Sequence, residues 1–270
     1  MVSHKAYSNL LQFESLNTFD SLLHFSTTID GGVSTGNYTS FNLGMYSGDD
    51  LQDVAENRSR LASMLSIPSE NLLFPYQTHG DSVCIIDKKF TSKSKDEQLQ
   101  LLNGVDALIT NQIGVCIGVG TADCVPILIF DPKNKVFAAI HAGWRGTVAK
   151  LGPKVVEIMK TKFNSDPSDL QVGIAPSISP DYFEVGDEVV DQFAHAGFLI
   201  DDIGYYNFET SKFHIDLWFA NELLLSQAGV RFDNIEVAGL CTYYHSDQFF
   251  SARRQGIQSG RMITGGVLIR

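Results

Sequence analysis

Long apolar runs are absent from this 270-residue chain. The most apolar stretch, Val115 to Phe130, is broken by Gly118, Gly120, Thr121, Asp123 and Pro126, and falls short of the ~18 apolar residues of a membrane span. Met1 to Phe13 carries polar residues throughout and lacks the apolar core, roughly 7 to 15 residues long, of a secretory signal. The expected location is therefore the cytoplasm. Cysteine is scarce: Cys84, Cys116, Cys124 and Cys241 are too few and too irregularly spaced for a disulfide framework, so free thiols are expected. Basic residues are outnumbered, 20 against 31 acidic, and the net charge of -11 repels a phosphate backbone. With no basic stripe, duplex nucleic acid is not an expected partner. No internal repeat stands out, and the only low-complexity tract, Thr91 to Glu97, reads as an exposed loop.

What is present is enough for a folded core. Hydrophobic residues reach 44% and charged residues 19%, far from the balance of a disordered chain. Short strand-like runs alternate with a few helical ones between Gly, Pro and Asn clusters, which gives a mixed α and β class. Asp30 to Gly44 is a loop with Asn42 near its end, because its Gly, Ser and Asn residues disfavour a helix. Leu51 to Leu65 follows as a helix: Val54, Leu61 and Leu65 recur at helical spacing and Pro68 is the stop. Arg58 falls on the inward face of that helix, where a guanidinium either binds an anion or covers apolar surface with its stem. Next, the loop Gln77-Thr78-His79-Gly80 enters the alternating strand Ser82 to Asp87. His79 thus stands at a loop-to-strand junction, where a rigid element can hold a side chain over a cleft.

Val115 to Lys150 is the most informative stretch. Val115 to Val119, Val125 to Phe130 and Val136 to Ala142 are short apolar strands, and Asp131-Pro132-Lys133-Asn134 is a turn signal between the last two. With Pro132 and Lys133 as central turn residues, counting outward by equal steps sets Cys124 opposite His141. Directly paired residues have Cβ atoms roughly 4.5 to 5.5 Å apart, so a thiol and an imidazole should meet at one end of a buried hairpin. Beyond it, Gly143 to Thr147 leads into a helical run, Val148 to Lys162, with Thr147 as N-cap and Pro153 as an interruption. Ile174 to Val185 is turn-rich and precedes a helix from Asp187, while Asp216 caps a helix over Leu217 to Ala228 that Gly229 ends. Strands around Ile235 to Tyr243 and Gly266 to Ile269 enclose Arg253-Arg254 and Gly260-Arg261. Paired arginines beside aromatics grip a phosphate, stack on a base, or form a solvated surface run.

The residues alone leave three chemistries open for His79, Cys124 and His141. A Cys/His pair suits a thiolate nucleophile. Two histidines and a cysteine suit a catalytic zinc site with its fourth position left for water or substrate. The third reading is a core cysteine beside a hydrogen-bonded histidine.

QTHG at Gln77 to Gly80, TADCVPILIFD at Thr121 to Asp131, HAGWRGT at His141 to Thr147, CTYYHSDQFFSARRQG at Cys241 to Gly256 and SGRM at Ser259 to Met262 resemble the motifs of the laccase-domain (YfiH-like) family. FNLG at Phe41 to Gly44 and ENR at Glu56 to Arg58 extend the resemblance over almost the whole chain, in the family's order. Residues 175–185 depart from it: the family commonly has GPSIGPCCYEV where this chain has APSISPDYFEV, so two cysteines are missing while Glu184 keeps its place.

The resemblance implies one catalytic domain over 1–270, an α+β fold of α/β/β/α layers with mixed sheets, of the cysteine-hydrolase type, and a metal site on His79, Cys124 and His141. It implies a zinc-dependent purine nucleoside phosphorylase acting on adenosine, inosine and methylthioadenosine with phosphate as co-substrate, together with adenosine deaminase activity. Arg58 and Arg145 are then candidates for holding phosphate and Asp123 for handling a proton. The Arg253-Arg254 pair joins Arg58 and Arg145 as a candidate for phosphate, and Asn42 and Glu184 are candidates for polar contacts to sugar or base. Three alternatives accompany this reading. They are a Cys/His amidase or hydrolase editing peptidoglycan precursors, a copper-dependent polyphenol oxidase of the kind the family was first labelled, and a non-enzymatic interaction module. Seven histidines in all are few for several coppers.

Overall fold

A computed structural model describes residues 1–269. In chain order its strands are β1 Val2–Ser3, β2 Leu10–Gln12, β3 Leu22–Thr27, β4 Leu72–Leu73, β5 Val83–Ile86, β6 Ala107–Thr110, β7 Cys116–Thr121 and β8 Val125–Asp131. They continue with β9 Val136–Ala142, β10 Gln171–Ile174, β11 Glu184–Val185, β12 Gly204–Asn207, β13 Lys212–Ile215, β14 Ile235–Val237 and β15 Met262–Leu268. The helices are α1 Leu51–Met64, α2 Lys88–Thr91, α3 Lys95–Leu101, α4 Trp144–Val148, α5 Leu151–Phe163, α6 Asp187–His195, α7 Ile200–Ile203, α8 Leu217–Gln227 and α9 Ala252–Gln255.

One sheet has the order β1-β2-β3-β15-β7-β4 and a second has β14-β10-β8-β9-β6-β5, while β11, β13 and β12 form a small third. Both large sheets are mixed: β4 runs parallel to β7 in the first, and β5 to β6 and β14 to β10 in the second, while their other neighbours are antiparallel. Strands β8 and β9 are buried along their whole length because each of their faces has a partner. Val125, Ile127 and Ile129 of β8 pack with Leu151, Val155 and Met159 of α5 and with Leu224 and Leu225 of α8. The alternate residues, Leu128 and Phe130, pack with Ile117 and Val119 of β7 in the other sheet. That sheet's outer face meets α1 through Leu61 and Ala62. Each fully buried side chain of this kind contributes roughly 1.5–3 kcal/mol, and together they hold the four α/β/β/α layers expected.

Four local expectations change. The 91–97 segment is not a plain loop: it holds the end of α2 and the start of α3, because Ser94 and Glu97 close a reciprocal capping box. Thr147 is not an N-cap. Gly143 caps α4, Thr147 lies buried inside it with its hydroxyl 3.2 Å from the Gly143 carbonyl, and Lys150 at φ 56 separates α4 from α5. Pro153 then falls in the first turn of α5, where a missing N–H has no helical acceptor to lose, so it interrupts nothing. At the carboxyl end the first strand stops at Val237 before Gly239 turns at φ 64, and the second starts earlier, at Met262.

The hairpin register also differs. Asp131 pairs with Val136 and Pro126 with His141, so the loop has four residues, closed by Lys135 at φ 52. The Asp131 carboxylate accepts the Lys133 and Asn134 amides and holds that longer loop.

Candidate active site

Cys124 therefore does not pair with His141 across the ladder. It lies one residue before the start of β8, after Asp123, which adopts φ 88. His141 keeps the strand parity of Phe137 and Ala139 and so faces the layer between the two sheets. His79 sits on the turn before β5 at φ 60. The three meet nonetheless: one donor atom from each of His79, Cys124 and His141 lies within 4.8 Å of the others. The two imidazoles are edge-to-face with centroids 4.8 Å apart.

His141 is buried, and its Nδ1 lies 2.8 Å from Oδ1 of Asp106. An ionised carboxylate only accepts, so Nδ1 is the donor and Nε2 is left for Cys124. Burial alone disfavours a charged imidazole, but the Cys124 thiolate and Asp106 outweigh it and raise His141 to about 9. Burial likewise raises the Cys124 thiol, and the charges and hydrogen bonds of His141 and His79 more than reverse this, bringing it down to about 6. The cysteines outside the cluster behave oppositely. Burial drives the Cys116 thiol far up and carries Cys84 to about 11.

The cluster opens into a cavity of about 820 Å³ between the ends of the two sheets, whose wall includes Arg58, Phe74, Gln77, Asp123 and Arg261. Arg58 donates Nε to the Leu43 carbonyl at 2.9 Å, lies 5.1 Å from the Phe74 ring centroid, and has no carboxylate partner among the described residues. Burial lowers it to about 10, so it stays charged near neutral pH with no neutralising group of its own. The Asp123 carboxylate accepts the Thr242 hydroxyl at 2.7 Å and the Arg253 amide at 2.6 Å, which hold it in place. Arg253 lies on the cavity wall and donates to the carbonyls of Tyr182 and Glu184.

Other expected contacts lie elsewhere. Arg145 does not line the cavity; its guanidinium rests 4.2 Å from the centroid of Trp144. Arg254 stacks 4.4 Å over Tyr243 and donates to that residue's carbonyl, away from the cavity wall. Asn42 is fully buried, its amide shared among Ser47, Asp49, Gly44 and Arg261, so no polar atom is left for a ligand. Glu184 points to Lys212 at 3.1 Å and His214 at 3.8 Å, and only its carbonyl reaches Arg253.

Two residues of the site were not expected. Asp106 is a lone acid inside the apolar run Val105 to Ile109, and that isolation is its signal in the sequence. Arg261 lines the cavity with its side chain bonded to the carbonyls of Ser259 and Gly260, and burial pulls its pKa down against the nearby charges of Cys124 and Asp123.

Comparison with known proteins agrees with this architecture. The profile of the family described as "Multi-copper polyphenol oxidoreductase laccase" matches residues 23–269. A Bacteroides thetaiotaomicron protein named purine nucleoside phosphorylase is 44% identical over 265 residues, covering 98% of each chain. A protein named adenosine deaminase RL5, from an unknown prokaryotic organism, is 44% identical over 241 residues, covering 89% of this chain and 92% of its own. Among solved structures, YlmD from Geobacillus stearothermophilus superposes with a TM-score of 0.90 at 32% identity, covering 100% of this chain and 99% of its own.

Proposed function

The chain belongs to the multi-copper polyphenol oxidoreductase laccase family, and from that premise we propose that it is a zinc-dependent purine nucleoside phosphorylase for adenosine, inosine and methylthioadenosine, with adenosine deaminase activity at the same site. One observation carries the reading: a His-Cys-His donor set and a half-buried, unneutralised Arg58 share the wall of one cavity. Relatives at 44% identity bear the names of both activities.

Two imidazoles and a thiol are the donors a catalytic zinc takes, and the lowered Cys124 pKa favours the thiolate that binds it. His79, Cys124 and His141 would hold the ion, which when bound supplies a Lewis acid that acidifies water or polarises a substrate oxygen. A multi-copper centre fits worse, because the other five histidines lie outside the cavity wall.

In phosphorolysis a phosphate oxygen bonds to C1′ of the ribose while the C1′–N9 bond breaks and its electron pair leaves with the purine. Arg58 and Arg261 supply positive charge for the phosphate. Asp123, held in place by two donors on the cavity wall, is complementary to the positive charge that develops on the ribose ring as the bond lengthens. It also fixes the turn before Cys124, and the proton-handling role expected of it from the sequence stands as part of this proposal.

Elemental analysis of protein purified without added metal tests the zinc half, with one equivalent expected in the wild type and none in Cys124→Ala. Adenosine with phosphate tests the other half, with adenine and ribose 1-phosphate expected as products. Neither product at any pH between 5 and 9 (an ordinary working window of roughly that width) would remove the nucleoside reading. A second reading rests on the Cys124, His141 and Asp106 sequence of contacts, which is also the order of a cysteine hydrolase relay. Metal-free wild-type protein that hydrolyses amide-bearing cell-wall precursors would favour it.

A further inference from the structure

One carboxylate reaches both halves of the cluster. Asp106 is fully buried at the head of β6. Its Oδ1 accepts the His79 amide at 3.0 Å and the His141 Nδ1 hydrogen at 2.8 Å, while Oδ2 accepts the amides of Gly80 at 2.8 Å and Thr78 at 3.3 Å. The Asp106 carbonyl also accepts the His141 amide at 2.7 Å, so His141 is held through backbone and ring by one residue.

Three successive amides converging on an anion form a nest, a backbone shape that elsewhere receives phosphate or another acidic ligand. Here the chain fills the nest with its own side chain. The middle residue of that nest, His79, has φ 60, a region that side-chain-bearing residues seldom enter. The carboxylate supplies what keeps it there.

We infer that Asp106 is the positioning residue that presets the His79–Cys124–His141 cluster, holding the Thr78–Gly80 turn in the shape that presents the His79 ring and fixing His141 with hydrogen on Nδ1 and Nε2 toward Cys124. The inference uses the three-donor site of the proposed function but does not require the nucleoside chemistry.

Asp106→Asn tests it at nearly constant volume. An amide has one accepting oxygen, so in either orientation one pair of bonds is lost. With oxygen toward His79 and His141, the NH₂ group faces the Thr78 and Gly80 donors; reversed, it faces the His79 amide and His141 Nδ1. Asp106→Asn is therefore expected to bind zinc 10- to 100-fold more weakly (~10–100-fold being usual for a lost partner of a metal-bound histidine), measured by competition with a chelator. The cobalt-substituted variant should show a shifted or weakened thiolate-to-metal absorption band. Asp131→Asn is the control, since Asp131 is equally buried and also caps a turn, but at the far end of the hairpin. It should lower the melting temperature and leave zinc affinity within twofold (about 0.4 kcal/mol).

Nitrogen NMR of histidine-labelled wild-type protein gives a readout that needs no variant: His141 Nδ1 should carry a proton with and without added zinc. An unprotonated Nδ1, or a folded Asp106→Asn with wild-type zinc affinity and cobalt spectrum, overturns the inference. If the wild type takes up no zinc at all, the metal reading fails, and a His141 Nδ1 resonance left unchanged by Asp106→Asn would overturn the role of Asp106.

Discussion

Gly143 lies directly against the sulfur of Cys124: a Cβ built on Gly143 falls 2.8 Å from Sγ and 3.6 Å from Cδ2 of His79. The backbone there, φ -62 and ψ 173, is open to alanine, so the obstacle is contact alone. Gly143→Ala should therefore fold normally and displace the thiol. Misplacement of about 1 Å can cost ~10²-fold in rate, and a loss of that size in kcat/KM is expected with the melting temperature nearly unchanged. A variant with wild-type kcat/KM would show that the sulfur's position does not matter to the reaction.

Arg58 and Arg145 should differ sharply. Hydrogen bonds to charged groups contribute about 1.5–3 kcal/mol, so Arg58→Gln should raise the KM for phosphate by roughly 10- to 100-fold. Arg145→Gln removes only an exposed stack on Trp144, worth about 0.5–1 kcal/mol of local stability, and should leave phosphate kinetics within twofold (about 0.4 kcal/mol). Steady-state kinetics with phosphate as the varied substrate separates them.

Metal-free protein should expose its most reactive thiol at Cys124. The lowered pKa, about 6, makes the thiolate dominant at neutral pH, so alkylation by iodoacetamide should rise through pH 6 and level off above it. Cys84, raised to about 11, should react far more slowly at neutral pH. Added zinc should protect Cys124, as followed by peptide mass spectrometry. Alkylation that first rises above pH 8 (near ~8.5, the value of an unperturbed thiol) would remove the thiolate from both readings of the site.

His24 supplies the pH dependence of stability. It is fully buried; burial lowers it to about 4, with nearby Glu236 opposing, and its Nδ1 has no partner among the described residues. Nε2 accepts the Phe13 amide at 2.8 Å, a bond open only to the neutral ring. A depressed folded-state pKa contributes stability that is complete above the unfolded value of 6.5 and is lost as pH falls toward 4. Up to about 3 kcal/mol should disappear over that window. His24→Gln, which keeps an acceptor for Phe13, should unfold with a flatter pH profile by denaturant titration.

Much of this was legible in local pattern. The all-apolar runs of β8 and β9 announced strands covered on both faces, and the spacing of Val54, Leu61 and Leu65 turned Arg58 inward, where the structure has it. The hairpin register was not legible, because two-residue and four-residue loops fit the same turn signal and the left-handed Lys135 leaves no mark in side-chain type. Arg145 follows His141 closely in sequence, yet its rotamer is decided by the Trp144 ring. Asn42 sits in a loop whose composition says nothing of which polar atoms pair internally. Asp106 acts on partners 28 and 35 positions away, a relation without local periodicity.

Strand β15 sits at the middle of the first sheet, paired on one side with β3 and on the other with β7. A ribosome releases β3 and β7 long before the strand that must come between them, so nascent chains carry two open apolar edges through most of synthesis. Arg261 immediately precedes that late strand, and the cavity acquires this cation only when the insertion is made. Such sequence-distant pairing slows folding, and chains stalled before residue 262 should depend on chaperones and remain inactive.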